Sequence, residues 1–280
     1  MQPPQELTRR LGVFLGRQLI AQPLAFEDAS NWRWKSDSLS PEMIRMARTD
    51  TRDPFWHGLK ALFGLDRWRD APHLTRLAGS LPPHLPLLPL PMTWLGYLQG
   101  VPVWSLPWRS GRTGEMNESL AALLGEQIGR LHRSPVSGWG HPLAFVEGLE
   151  RWPGSLAGYL AHHLPASVRA DLPSRVPIPA RAVWSLPDLR ADQFIEGATD
   201  WCWSDWEALV WAPLELDWVL IELLLTDDPE RHAFLARYWP FGQPCDIEAH
   251  RLASRALLWQ LNCFGPCEWS AVRDAPCWLP

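Results

Sequence analysis

The sequence is poor in lysine and has no excess of positive charge. Lys35 and Lys60 are the only two lysines, so a reaction that needs a lysine amine has few candidates, and arginine supplies the other basic groups. The net charge is −5, which argues against a broad, unspecific nucleic-acid surface, because phosphate backbones require clustered positive charge. We therefore expect no nucleic-acid partner.

Long apolar runs are also missing. The most apolar run, residues 218–225, contains Glu222 and is too short to span a bilayer. Residues 1–19 have apolar side chains at helical spacing, which predicts an amphipathic helix and not a signal peptide. These features lead us to expect a cytoplasmic protein that makes no membrane contact.

Several catalytic motifs are absent. The chain has no Gly-x-Ser-x-Gly elbow, no His-Glu-x-x-His segment and no full dinucleotide glycine fingerprint, so hydrolase and dehydrogenase functions have no support. The cysteines contain no two-residue-spaced pair, which favours reduced thiols over a metal site or a disulfide. They are Cys202, Cys245, Cys263, Cys267 and Cys277.

What the chain does contain is enough apolar sequence for a large core. It has 280 residues, 46% hydrophobic and 20% charged, which suits a globular protein that forms either one large domain or two lobes around a cleft. The first part predicts an antiparallel sheet, because short apolar segments alternate with turn residues. Strands are predicted over residues 17–26, 31–35, 41–48, 92–98 and 101–106, with a turn at Gln99-Gly100 and a helix within residues 53–69.

The second part is predicted to be rich in helices. Residues 115–133 have the strongest helical periodicity in the chain. Further helices are predicted over residues 149–163, from 213 onward, and over 229–239 and 246–264, and two short strands within 183–207. The fold class is therefore predicted to be α+β, with an N-terminal lobe over residues 1–107 and a C-terminal helical lobe over residues 108–280.

Two aspartates stand where short apolar strands end. Asp188 and Asp205 are 17 positions apart. If neighbouring strand ends bring them together, one carboxylate can orient a hydroxyl substrate while the other binds Mg²⁺ on a phosphate. The alternative is structural, with Asp188 as a cap or turn residue and Asp205 as a turn residue at a strand end.

Residues 184–195 resemble the catalytic loop of the aminoglycoside phosphotransferase and choline kinase family. The family has His-Gly-Asp, four residues, Asn and then an apolar strand; Asp188 stands at the Asp and Gln193 at the Asn. Asp205-Trp206-Glu207 is similar to the family's metal-binding Asp, aromatic residue and Glu. The segment around Asp217 resembles the one whose Asp opens a buried helix and braces the catalytic loop.

The resemblance implies a bilobal protein-kinase-like fold and an ATP- and Mg²⁺-dependent transfer of a phosphoryl group to a hydroxyl of a small molecule. Asp188 is then the catalytic carboxylate, and Gln193 and Asp205 bind the metal. Arg45 in the third strand takes the place of the family's nucleotide-binding lysine, with Lys35 as the alternative.

A second function stays open because the motifs are degenerate. Leu186 and Pro187 replace the family's His and Gly, Gln193 replaces Asn, and the hairpin at residues 27–31 has no glycine to cover a phosphate. On this hypothesis the chain is a pseudokinase, a binding module for a ligand or protein partner. The oligomeric state is not predicted.

His132 and a group of tryptophans were open to two interpretations each. His132, at the end of a predicted helix, either acts as a base or caps the last-turn carbonyls, and we favour the cap. The tryptophans either surround a cationic or sugar-like substrate or pack in the core, and we favour packing. They are Trp201, Trp203, Trp206 and Trp211.

Overall fold

The computed structural model describes residues 1–24, 29–49, 53–81, 92–134, 136–143, 145–198 and 200–280. Its first part is built on a five-stranded antiparallel sheet with strand order β1-β2-β3-β5-β4. The strands are β1 (Leu19–Ala21), β2 (Asn31–Ser36), β3 (Glu42–Ala47), β4 (Thr93–Leu98) and β5 (Val101–Pro107). All five predicted strands are confirmed, although β1 is shorter than predicted; residues 25–28 of the predicted hairpin lie outside the described residues.

Helix α1 (Gln5–Leu15) covers one face of this sheet. Leu11 is fully buried against the apolar face that Trp34 and Ile44 share, and these side chains form a small core of their own. The helix ends earlier than predicted because Gly16 adopts a left-handed conformation, with φ of 63°, that stops the helical hydrogen bonds.

The predicted turn between β4 and β5 is confirmed. Gln99 and Gly100 have φ of 54° and 78°. Two successive residues with positive φ match the twist of a two-residue antiparallel hairpin. This hairpin completes the sheet on the side away from β1.

Helix α2 (Pro54–Phe63) joins the sheet to the second part of the chain. It starts where the Asp53 side chain accepts a hydrogen bond from the Trp56 amide, and it ends at Gly64, whose φ is 73°. Its buried residues Leu59 and Phe63 belong to the large core of the second part. The short helices α3 (Arg67–Asp70) and α4 (Leu74–Ser80) follow. The lobe boundary after residue 107 stays a prediction.

The second part combines helices with two small antiparallel sheets, so the predicted α+β fold class is confirmed. Its strands are β6 (Arg112–Thr113), β7 (Trp139–His141), β8 (Phe145–Glu147), β9 (Ala182–Ser185), β10 (Phe194–Glu196), β11 (Trp201–Trp203) and β12 (Val210–Pro213). Its helices are α5 (Glu118–Arg133), α6 (Trp152–His163), α7 (Ala166–Arg169), α8 (Leu214–Leu224), α9 (Asp228–Tyr238), α10 (Glu248–Gln260) and α11 (Trp269–Arg273). The sheet orders are β11-β10-β6 and β8-β7-β12-β9.

The most apolar run of the sequence is the buried helix α8. Its Glu222 is buried and accepts hydrogen bonds from Arg251 and Arg255 at 3.0 and 2.8 Å, so the charge inside the core is compensated. Within the described ranges, no helix has both the length and the apolar character needed to cross a bilayer.

Candidate active site

Antiparallel pairing of β10 and β11 brings the two motif segments together. Phe194 at the start of β10 pairs with Trp203 at the end of β11. Gln193 precedes the first strand and Ser204-Asp205 follows the second, so they meet at one edge of the sheet. The Ser204 amide and hydroxyl both donate to the Gln193 carbonyl at 2.8 Å, which fixes this corner.

The catalytic-loop residues Asp188 and Gln193 contact each other directly. The Gln193 Nε2 amide donates to Asp188 Oδ2 at 2.8 Å. The other side-chain atom, Gln193 Oε1, is buried and has no hydrogen-bond partner among the described atoms. Gln193 therefore orients Asp188 with its amide group and leaves a free acceptor oxygen in a buried position.

Asp188 lies at the wall of the cleft, where burial disfavours the ionised form of its carboxyl group. Burial raises its pKa well above the ordinary value, and the Asp205 charge adds to the effect. Arg190 opposes it, with Nη1 at 3.6 Å from Asp188 Oδ1. The side chain keeps 24% of its surface exposed, so a substrate can reach it. A carboxylate with a raised pKa is a stronger proton acceptor once it is ionised.

Arg45 lies in β3, the predicted third strand, and extends into the same cleft. Its Nη1 donates to Asp205 Oδ1 at 2.8 Å and to both oxygens of Glu207 at 3.1 Å, and its Nη2 donates to the Ser204 carbonyl at 2.5 Å. The side chain is 2% exposed. Arg45 therefore binds the segment that carries Asp205, and both its terminal nitrogens are used for this.

The pKa values of the two carboxyl groups beside Arg45, Asp205 and Glu207, are shifted in opposite directions. Burial would raise the pKa of Asp205, but the Arg45 charge outweighs it and the pKa lies below the ordinary value. Burial and the Asp205 charge raise the pKa of Glu207. Asp205 thus keeps its negative charge near neutral pH, while Glu207 is the more readily protonated partner.

All four residues predicted to form the site line one cleft between the sheet and the helical part. Its polar lining includes Arg33, Arg45, Asp188, Asp192, Gln193 and Asp205. The cleft volume is about 190 Å³.

The donor atoms fit a magnesium ion that a phosphate helps to hold. Among the residues that the structure describes, no group of three or more His, Cys, Asp and Glu is arranged to hold a metal. Mg²⁺ is usually bound through one or two carboxylates together with substrate phosphates and water. The ionised Asp205 and the unpartnered Oε1 of Gln193 supply oxygens of this kind. This donor set suits a metal that arrives with a nucleotide.

A buried network under the loop holds the strand that leads to Asp188. Asp217 in α8 accepts a hydrogen bond from the Ser185 hydroxyl at the end of β9. His132 Nε2 lies 2.8 Å from Asp217 Oδ2, and His132 Nδ1 lies 2.9 Å from the Tyr238 hydroxyl. The interpretation of His132 as a carbonyl cap is therefore wrong, because its ring joins α8 to α9. Asp217 has the bracing position that the resemblance implied.

Two other sequence interpretations are settled by position. Lys35 lies outside the cleft, and its ammonium group is 5.0 Å from the ring centre of Trp108, so it is not the alternative to Arg45. The four tryptophans pack: Trp203 and Trp206 are buried, and Trp203 stacks on Phe194 at 5.4 Å. In the described part of the chain, none of the four lines the cleft.

Solved structures share this architecture, although no protein-family model and no curated protein matches the sequence. A macrolide 2′-phosphotransferase from Brachybacterium faecium superposes with a TM-score of 0.57 and 16% identity, over 97% of this chain and 98% of that chain. An amicoumacin kinase with AMP-PNP and Ca²⁺ superposes with a TM-score of 0.53 and 12% identity, over 97% of this chain and 91% of that chain. A spectinomycin phosphotransferase with ADP and spectinomycin superposes with a TM-score of 0.51 and 12% identity, over 98% of this chain and 86% of that chain.

The chain has the aminoglycoside phosphotransferase-like fold. The predicted fold and the resemblance on which it was based are confirmed at this level. The sequence did not reveal how this phosphotransferase-like fold holds Arg45. Glu207, two residues after Asp205, is a second carboxylate partner of Arg45. A signal existed in the Asp205-Trp206-Glu207 spacing, but only the folded chain shows that both carboxylates meet one arginine.

Proposed function

We propose that this protein transfers a phosphoryl group from ATP to a hydroxyl group of a small molecule. The observation that carries the proposal is the convergence of Asp188, Gln193 and Asp205 in one cleft, opposite Arg45 from the sheet. Phosphoryl transfer depends mainly on positioning and charge stabilisation, and these groups are of the types that it requires.

Asp188 is the residue that receives the acceptor hydroxyl. Its Oδ2 is held by the Gln193 amide, which leaves Oδ1 toward Arg190 and the cleft. Ionised Asp188 orients the hydroxyl and accepts its proton as the oxygen attacks the γ-phosphorus of ATP, whose bond to the bridging oxygen breaks to release ADP. The raised pKa of Asp188 makes it a better acceptor than an ordinary aspartate.

Asp205 and Gln193 are the residues that hold Mg²⁺ on the nucleotide. When bound there, the metal neutralises charge on the phosphate oxygens. Arg45 keeps Asp205 in place and lowers the pKa of Asp205, so the carboxylate stays ionised. The bound ADP of the spectinomycin phosphotransferase and the AMP-PNP of the amicoumacin kinase support ATP as the donor.

The substitution of leucine for the family's histidine leaves the loop ordered. Leu186 is 1% exposed and packs in the large core. Its carbonyl accepts a hydrogen bond from the Leu189 amide at 3.0 Å, which closes the turn that carries Asp188. Apolar packing and this turn thus place Asp188 without a histidine.

Thermal unfolding with ATP tests the nucleotide site. Ligand that binds only the native state stabilises it by about 2.7 kcal/mol at 100 times Kd. We expect ATP with Mg²⁺ to raise the melting temperature of the wild type, and ATP without metal to raise it less. Asp205→Asn is expected to lose the metal-dependent part, measured against its own ligand-free melting temperature.

Asp228→Asn is the matched control, because Asp228 is exposed at the start of α9, outside the residues that line the cleft. It should respond to ATP and Mg²⁺ as the wild type does. A wild type that shows no shift under conditions where a known kinase responds contradicts the proposal. That result would favour the binding module without phosphoryl transfer.

A further inference from the structure

Arg33 faces the cleft directly beside Arg45. The two residues are partners across β2 and β3, so their side chains leave the same face of the sheet. On the opposite face, Trp32 and Trp34 pack in the small core under α1. Strand alternation therefore fixes Arg33 on the cleft side, and it lines the cleft together with Asp205.

The two arginines differ in what their guanidinium groups contact. Both terminal nitrogens of Arg45 bind partners in the Ser204–Glu207 segment. Arg33 has one long hydrogen bond, from Nη2 to the Pro23 carbonyl at 3.4 Å, and it forms no ion pair with any residue of the described ranges. The donors of Arg33 are thus largely available to a ligand in the cleft.

The electrostatic environment of Arg33 favours an added negative charge. Burial lowers the pKa of Arg33, and the neighbouring Arg45 charge adds to this effect. Asp205 and Asp192 oppose it from a distance. An arginine stays protonated under these conditions, so a half-buried cation lies next to another cation without a direct counterion. Binding of an anion with several oxygens removes the electrostatic cost of keeping these two cations side by side.

We propose that Arg33 is the residue that binds the polyphosphate of the nucleotide, while Arg45 positions Asp205. The inference rests on the proposed function. It is based on the cross-strand placement of the two arginines, the full use of Arg45 and the open donors of Arg33. The planar guanidinium of Arg33 donates two parallel hydrogen bonds to phosphate oxygens in the cleft.

Binding calorimetry with three probes tests this assignment. The probes are ATP with Mg²⁺, inorganic tripolyphosphate and adenosine, measured on the wild type, Arg33→Gln and Arg33→Lys. Hydrogen bonds to charged groups contribute about 1.5–3 kcal/mol. We therefore expect Arg33→Gln to weaken ATP and tripolyphosphate binding about 10- to 100-fold, since 1.4 kcal/mol corresponds to tenfold.

The same measurements separate a contact from a structural effect. Arg33→Lys should recover part of the lost affinity, adenosine affinity should not change, and the ligand-free melting temperature of Arg33→Gln should stay near that of the wild type. Arg237→Gln, which removes an exposed arginine on α9, is the matched control and should bind all three probes normally.

Three results would each contradict a different statement. If the wild type binds ATP with Mg²⁺ and Arg33→Gln binds it equally well, the role of Arg33 is wrong while the proposed function stands. If the wild type binds neither ATP nor tripolyphosphate, the proposed function and the role of Arg33 both fail. If tripolyphosphate alone binds and Arg33→Gln abolishes it, the anion site stands and ATP is not its ligand.

Discussion

The two walls of the cleft are built on different principles. On the helical side, Asp188, Gln193 and Asp205 lie next to the ends of strands β9, β10 and β11, and the buried Asp217 holds β9 through Ser185. On the sheet side, Arg45 from β3 reaches carboxylates 160 and 162 positions further along the chain. One wall is set by local spacing, and the other depends on long-range ion pairs.

On the helical wall, the order and spacing of Asp188, Gln193 and Asp205 match the motif that the sequence resembles, although Leu186, Pro187 and Gln193 itself depart from its residue types. On the sheet wall, Arg45 stands where the resemblance implies a lysine, and Asp205 and Glu207 compensate its buried charge. A cleft of this fold can thus be held together by pairs that cross between its walls.

The largest expected effect comes from breaking the helical wall at Asp188. Asp188→Asn keeps the size of the side chain and removes the proton acceptor, which commonly costs about 10²- to 10⁴-fold in kcat. ATP binding should persist, because the metal-binding residues are untouched. Steady-state transfer to an acceptor found in a screen measures this.

Asp228→Asn again serves as the control for an Asp-to-Asn change and should keep its turnover. A kcat of Asp188→Asn within threefold of the wild type would contradict the catalytic role. The change would then show only that Asp188 orders its loop.

The sheet wall is broken by Arg45→Gln. This change leaves Asp205 and Glu207 close together without their cation, and removing one partner of a buried pair typically costs about 3–5 kcal/mol. We expect urea unfolding to show a loss of this size. Arg33→Gln on the neighbouring strand should cost far less, since Arg33 has no ion pair among the described residues.

Removing the charge of Glu207 sharpens this prediction. Arg45→Gln combined with Glu207→Gln should recover part of the lost stability, because one uncompensated carboxylate is then neutral. Equal stability of wild type and Arg45→Gln would contradict the account of the sheet wall.

The smallest expected effect concerns His141, a buried residue of the helical part. Neither ring nitrogen has a hydrogen-bond partner in the described structure, and burial lowers the pKa of His141 to about 4. Because the pKa of His141 is lower in the folded state than in the unfolded state, the neutral ring contributes stability above about pH 6.5. This contribution is lost as the pH falls toward 4. Between pH 7.5 and 5 the loss from this group is about 2 kcal/mol.

His141→Gln should therefore show a smaller stability difference between pH 7.5 and pH 5 than the wild type, in urea unfolding at both values. The quantity of interest is this difference, so a general destabilisation of the variant does not affect the comparison. An unchanged difference would show that folding does not lower the pKa of His141.

The sequence predicted most of what depends on local pattern. The five sheet strands, the Gln99-Gly100 turn and the helix of residues 118–133 follow from apolar periodicity and turn chemistry. The spacing of Asp188 and Asp205 at the ends of short apolar segments raised the possibility that they share a site, and both line one cleft. The spacing of the loop residues was the signal for this part of the site.

Other parts were not predictable, because they depend on contacts between distant segments. The ring of His132 has two polar partners, Asp217 and Tyr238, 85 and 106 positions away, and no local pattern indicates them. The division of roles between Arg33 and Arg45 likewise depends on strand register and on Glu207. Helix α1 was predicted too long because the left-handed Gly16 was not recognised as its end.

The most direct test of the account is electron paramagnetic resonance of Mn²⁺, used in place of Mg²⁺, with AMP-PNP and the protein. The account predicts that the spectrum shows one protein-bound Mn²⁺ when protein and nucleotide are both present. This signal of bound Mn²⁺ should be lost in Asp205→Asn but not in Asp228→Asn. A wild type that binds no Mn²⁺ with the nucleotide, or an Asp205→Asn variant with the same signal, would contradict the claim that the two walls meet on a metal-bound nucleotide.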